Sequence, residues 1–177
     1  PPLSAYHRMP SGAPFSVLGV DPGFSNGHKL AVVAPFGSSI LATGKLFSSG
    51  SKGKGESLAQ LQELCAAHSV KVIAIGDGVG SREAQQLVEG AMRGGALPED
   101  VACAVVSEAG ASVYSVSAVA REQHPDVEIS KHNWLHCVAA CDCPLTTDVL
   151  PLPSLGFLGA GSIARRLVDP LSELVKI

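Results

Sequence analysis

The sequence is short of the residues that hold nucleic acid by bulk charge or by stacking. Lys and Arg number 13 against 16 Asp and Glu, a net charge of −3. No basic field therefore covers the chain, and any binding of nucleic acid must be local. Aromatic residues are 5% of the total with a single Trp, too few for a row of base-stacking platforms. Charged residues are only 16% and hydrophobic ones 46%, which excludes whole-chain disorder and supplies a real core. No apolar run reaches the ~18 residues that suggest a membrane span, and no basic segment followed by an apolar stretch opens the chain. The periods of collagen and of coiled coils are missing. Five cysteines, an odd number in a chain able to build its own core, read as free thiols in a reducing compartment, the cytoplasm or nucleus. What remains is one α/β domain, for which 177 residues suffice. The chain opens on Pro1 and stops at Ile177 inside an amphipathic pattern, which reads as a piece of something longer.

Residues 1–14, rich in Pro, Gly and Ser, read as a flexible lead-in. Three short β-leaning runs follow, Phe15–Val20, Leu30–Ala34 and Ile40–Phe47, joined by turn signals at Asp21-Pro22-Gly23 and Pro35-Phe36-Gly37. Runs so close together predict an antiparallel meander. Gly50–Gly55 reads as a loop, with Ser57 capping a helix whose Leu58, Leu61, Leu64 and Cys65 recur at helical spacing. Lys71–Ile75 predicts a fourth strand, Gly76–Gly80 a tight glycine loop, Ala84 to Met92 a second helix and Val101–Val106 a fifth strand. Ala118–Gln123 reads as a short helix, and Ile163, Ala164, Leu167 and Val168 mark one face of a last one. Pro170 should end or kink that helix, leaving Asp169 to cap a new one. The order β-β-β-α-β-α-β-α implies a mixed sheet flanked by helices.

Chemistry at strand ends is the first place to look in such a sheet. Asp21 closes the first strand and Glu108 follows the fifth. If those strands are neighbours, the two carboxylates face one another and suit Mg²⁺, a hard cation that takes oxygen ligands. A two-ion phosphoryl site needs a further acid, for which Asp169 is the best-placed candidate. Each has a plainer alternative: Asp21 as an Asp-Pro-Gly turn residue, Glu108 and Asp169 as helix caps or solvated acids. In the segment Gly76–Glu83, Gly78, Gly80, Ser81 and Arg82 follow a strand and open a helix, where free amides attract phosphate. The spacing matches neither a Walker loop nor a dinucleotide fingerprint, so a structural turn is an equal reading. Small residues around Glu108 suit close backbone packing. Arg165 and Arg166 are the densest basic feature near the end, by default a solvated helix face. Cys137, Cys141, Cys143, His132 and His136 fall within twelve residues, but their spacing fits no common zinc knuckle.

Taken together, four stretches resemble the YqgF-type, RNase H-like domain of the Tex transcription accessory proteins. They are VLGVDPGFSNGHKLAVV (Val17–Val33), VIAIGDGVGSRE (Val72–Glu83), VVSEAGASVYSVSAVAREQHPD (Val105–Asp126) and GSIARRLVDPLSELVKI (Gly161–Ile177), in family order. The resemblance implies an RNase H-like fold, as in Holliday-junction resolvases, within a larger protein that binds nucleic acid and assists transcription or RNA metabolism. Eukaryotic relatives also carry an OB-fold RNA-binding domain, so RNA is expected before DNA, with other domains of the parent protein as further partners and no membrane. Asp21 and Glu108 fall at the strand-end acids of the superfamily, with Asp169 a weaker transfer. They are the candidate acids, catalytic or vestigial, and Asp21 and Glu108 the candidate Mg²⁺ ligands. Lys29, with Gly78, Gly80, Ser81, Arg82, Arg165 and Arg166, completes the candidate phosphate or nucleic-acid contacts.

Three departures stand out. The family usually has Gly-Asn-Gly at Gly76-Asp77-Gly78 and Cys-Lys at His28-Lys29. Lys131–Leu158 interrupts a stretch that the family runs straight through, and these 28 residues hold Trp134 and three of the five cysteines. They read as a disordered insertion within a domain spanning residues 15–177. Tex-family domains are not generally regarded as nucleases, so the expectation is a nucleic-acid-associated module without turnover. The alternative is a Mg²⁺-dependent nuclease using the paired carboxylates. An ATPase or kinase of the related actin-like fold would need a second such domain, which this length cannot supply.

Overall fold

The protein is described from a computed structural model, which covers residues 15–23, 27–37, 39–47, 51–124 and 155–174. Strands β1 (Ser16–Asp21), β2 (His28–Val33) and β3 (Ile40–Leu46) form the expected antiparallel meander. Helix α1 (Ser51–Ala67) leads to β4 (Val70–Gly76), α2 (Ser81–Arg93) to β5 (Ala102–Val106), and two short helices follow, α3 (Ala111–Val116) and α4 (Ala118–Gln123). Helices α5 (Leu155–Val168) and α6 (Pro170–Leu174) complete the described chain. The sheet order is β3-β2-β1-β4-β5, with β4 parallel to both β1 and β5. Among the described residues no helix is long and apolar enough to cross a membrane.

Strand alternation sorts the side chains into two layers. Leu18, Val20, Leu30, Val32, Ile73 and Ile75 point to one face, where Leu61, Cys65, Ala84 and Val88 of α1 and α2 cover them. Val17, Val33, Val72 and Ala74 point to the other, under Ile163 and Ala164 of α5. Each fully buried aliphatic side chain contributes about 1.5–3 kcal/mol of transfer free energy. The approach of α5 is set by Gly19. A Cβ built there would lie 1.9 Å from the carbonyl oxygen of Ala160, so the helix backbone rests directly on β1. Helix α6 is fastened beneath by Glu173, buried, whose Oε2 accepts from Ser162 Oγ at 2.7 Å.

Several expectations need correction. Helix α1 starts at Ser51 and not after Gly55. Ser57 does not cap it: Ser57 Oγ accepts the Phe47 amide at 2.8 Å and so ties the end of β3 to the helix. Helix α3 was not anticipated. It starts from Gly110 in the left-handed region (φ 79°) and buries Tyr114 completely. Most of the expected insertion Lys131–Leu158 lies outside the described residues. Leu155–Leu158, its last four residues, begin α5, and Leu158 packs with Tyr114 and Ala120. Its apolar contact explains why that end of the segment is helical.

Candidate functional site

Asp21 is the last residue of β1, on the face shared with Val17 and Gly19 and therefore under α5. Lys29 lies directly opposite it in the antiparallel register, so the two side chains share that face. Glu108 stands two residues beyond the end of β5. The condition that β1 and β5 be neighbours is not met, because β4 runs between them. The acids are brought together all the same, since β4 ends in a glycine. A Cβ on Gly76 would sit 2.8 Å from Glu108 Oε2, 2.9 Å from Pro22 Cδ and 3.1 Å from Ile163 Cδ1. On Gly78 it would sit 1.8 Å from Glu108 Oε1. With no side chain at either position, the Glu108 carboxylate lies back across the end of β4 toward Asp21.

The electrostatics follow from this enclosure. Burial pushes the Asp21 carboxyl up to about 6, the Lys29 cation pulls it back, and the Glu108 charge raises it further. Glu108 Oε2 is buried without a hydrogen-bond partner. The plainer role for Asp21, serving its own turn, falls to His28, whose Nδ1 accepts the Gly23 amide at 3.3 Å. His28 is fully buried, and burial lowers its pKa against the opposing pull of Glu83. With Nδ1 accepting, its proton belongs on Nε2. Sequence reasoning treated His28 only as a departure from a family pattern. Asp77, likewise only a departure from the family's Gly-Asn-Gly, accepts the Glu108 amide at its Oδ1 at 2.9 Å.

Asp169 does not join the pair. The α5 residue against Asp21 is Gly159, where a Cβ would lie 2.8 Å from Asp21 Oδ2. Asp169 follows ten residues later, about 15 Å along a helix that rises 1.5 Å per residue. The donor set thus fits one hard cation held by two carboxylates, the arrangement Mg²⁺ shares with substrate phosphates, and not a pair of ions. Among the described residues no group of three or more His, Cys, Asp or Glu converges on a metal site. The zinc candidates Cys137, Cys141, Cys143, His132 and His136 lie outside those residues.

The tandem arginines are not a basic face. Arg165 is 6% exposed, its Nε donates to Gly37 O at 3.0 Å, and its Nη2 meets His124 Nε2 at 3.3 Å. Since a guanidinium only donates, His124 must accept there. Arg166 turns the other way and donates to Ser107 O and, at 2.7 Å, to Ala109 O. Consecutive residues on a helix point about 100° apart, so the two bind different neighbours. Arg165 is thus shared between a carbonyl and an imidazole and Arg166 between two carbonyls, while Arg165 Nη1 and Arg166 Nε are buried without a hydrogen-bond partner.

The glycine-loop candidates do cluster. Gly78, Gly80, Ser81 and Arg82 line a cleft of about 380 Å³ at the start of α2, together with the acids Asp77 and Glu83. Gly80 adopts φ 94° and no side chain caps the helix. Arg82 is exposed, while the bare face of Gly78 is turned to the Glu108 carboxylate. The cleft therefore adjoins the acid pair across the β4–α2 loop.

Comparison with known proteins gives the family and the fold. The sequence profile of the Tex protein YqgF-like domain matches residues 15–136. The transcriptional accessory protein Tex of Neisseria gonorrhoeae is 39% identical over 163 residues, 92% of this chain and 17% of that protein. The S1 RNA-binding domain-containing protein 1 of Homo sapiens is 34% identical over 163 residues, 92% of this chain and 14% of that protein. The chain thus spans less than a fifth of the length of these curated relatives. T. thermophilus RuvC, solved in complex with a Holliday junction substrate, is similar with a TM-score of 0.50 at 16% identity, covering 91% of this chain and 96% of RuvC. That likeness shows the fold, which is RNase H-like.

Proposed function

The chain belongs to the Tex protein YqgF-like domain family, and from that premise we propose that it is the nucleic-acid-associated module of a Tex-like protein in transcription or RNA metabolism, without nuclease turnover. The observation that carries this reading is the strand-end acid pair. Asp21 and Glu108 gather at the C-terminal ends of β1 and β5, where open α/β sheets bind ligands, with Lys29 at the start of β2 opposite Asp21, while Asp21 meets backbone at Gly159 instead of a third carboxylate. Mg²⁺, when bound, would be held by Asp21 and Glu108 and would neutralise phosphate charge. Lys29 and the cleft residues Gly78, Gly80, Ser81 and Arg82 are the proposed phosphate contacts. RNA is favoured over DNA because the human relative is named for an S1 RNA-binding domain. The greater length of the relatives supports other domains of the parent protein as partners. The free thiols Cys65 and Cys103 support a cytoplasmic or nuclear setting.

One observation favours the second reading, a Mg²⁺-dependent nuclease: Glu108 Oε2 is buried with no partner, as an ion ligand would be. The test uses the longer parent protein, wild type and Asp21→Asn, with labelled single-stranded RNA and with single-stranded, duplex and branched DNA. Binding at low salt, strongest for RNA, with no cleavage in Mg²⁺ or Mn²⁺ is the expected result. Cleavage that Asp21→Asn abolishes would establish the nuclease instead. Absence of binding at low salt would end the module reading.

A further inference from the structure

Glu108 sits in a four-residue loop, Ser107–Gly110, between β5 and α3, flanked by small residues that offer nothing to pack. Left to itself, such a loop would let the carboxylate wander. Its backbone is nevertheless fully engaged. The Glu108 amide donates to Asp77 Oδ1 at 2.9 Å, and the Glu108 carbonyl accepts from the Ala111 amide at 2.9 Å. The carbonyls on either side, Ser107 O and Ala109 O, both accept from the Arg166 guanidinium, and the Ala109 amide donates to Ser107 Oγ at 3.3 Å. What stays unspent is the Glu108 carboxylate, with Oε2 buried and bare.

We propose that Arg166 and Asp77 are positioning residues for Glu108, clamping its backbone from two different elements so that the carboxylate stays across the end of β4 beside Asp21. The inference rests on the reading of that acid pair as the functional site. The planar fork of arginine holds two N–H groups in fixed geometry toward the two carbonyls, whereas a lysine ammonium is a compact charge on a flexible stem. Asp77 adds a charge-assisted bond, roughly twice as strong as a neutral one. The clamp also explains two features at once: the acid in place of the asparagine usual in the resembling family, and an arginine that faces inward. Asparagine at that position keeps an acceptor oxygen, so the contact survives the exchange in a weaker form.

The test is NMR-detected amide exchange of Glu108 in the full 177-residue chain, comparing wild type with Arg166→Gln, Asp77→Ala and Asp77→Asn. Exchange at Glu108 should rise about tenfold in Arg166→Gln and Asp77→Ala, the factor that loss of a charge-assisted hydrogen bond represents. Asp77→Asn should restore most of the protection, and the amides of α5 should not change. An unchanged Glu108 amide in Arg166→Gln or Asp77→Ala, or equal loosening of α5 and Glu108, overturns the clamp. Should Arg166→Gln fail to fold, Arg166→Lys keeps the stem and charge, and the same criterion applies to it. The measurement needs no nucleic acid, so the clamp and the module reading can fail separately.

Discussion

Replacing Asp21 with asparagine should make the folded chain less sensitive to pH and more stable near neutrality. The Asp21 carboxyl rises from an ordinary 3.8 to about 6 on folding, chiefly because burial penalises its charged form. A raised folded-state pKa means that the native chain holds this proton more tightly than the unfolded one. The stability that Asp21 contributes is therefore complete below pH ~4 and is lost as pH climbs through about 6. A rise of about 2 pH units corresponds to about 3 kcal/mol, at roughly 1.4 kcal/mol per unit. Asp21 is only half-buried, and screening brings the expected effect to about 1.5–3 kcal/mol. Asparagine keeps the shape and removes the titration. Urea unfolding of both proteins at pH 4, 5, 6 and 7 gives the difference in stability, in which the other carboxylates largely cancel. That difference should shift in favour of Asp21→Asn by about 1.5–3 kcal/mol between pH 4 and 7, mostly below pH 6. A flat difference would show that Asp21 is solvated and that the acid pair is not enclosed. A shift of the opposite sign would mean that the Lys29 cation outweighs burial.

Three further outcomes test the rest of the site. Gly19→Ala places a methyl 1.9 Å from Ala160 O, so it should cost about 3 kcal/mol or more and lower the melting temperature by roughly 6–12 °C by calorimetry; a drop below ~2 °C would show that α5 does not rest on β1. Arg165→Met removes bonds to Gly37 and His124 and should cost about 1.5–3 kcal/mol while leaving the RNA affinity of the folded protein intact. Lost affinity with a shallower salt dependence would instead put Arg165 on phosphate. Arg82→Ala should leave stability unchanged but weaken RNA binding across sequences and flatten the salt slope by about 0.7; an unaltered slope removes the cleft from the interface.

The strands were legible because β-branched runs bounded by turn residues have few other uses, and Val70–Gly76 and Ser16–Asp21 lie within a residue or two of where the pattern puts them. Asp21 and Glu108 were legible as strand-end acids, but the reason they meet was not. It depends on Gly76, whose missing side chain means something only once β4 is known to lie between β1 and β5. Parallel neighbours joined through helices leave no local trace of their order. The partners of the arginines were hidden for a related reason: a pair adjacent in sequence looks like a patch, although helical geometry sends Arg165 and Arg166 to different neighbours. A residue's spacing along the chain shows what it carries. Whether a carbonyl or the solvent waits at the other end is decided by elements more than fifty residues away.

The seat of α5 on β1 also imposes a schedule on biosynthesis. Every described strand is complete by Val106, yet the helix that roofs Val17, Val33, Val72 and Ala74 ends only at Val168. At ~5–20 residues per second, synthesis of those intervening residues leaves one apolar side of the sheet bare for roughly 3–12 s. A ribosome stalled in that interval would hold a nascent sheet ready to stick to its neighbours, which makes α5 the safeguard of that side against aggregation.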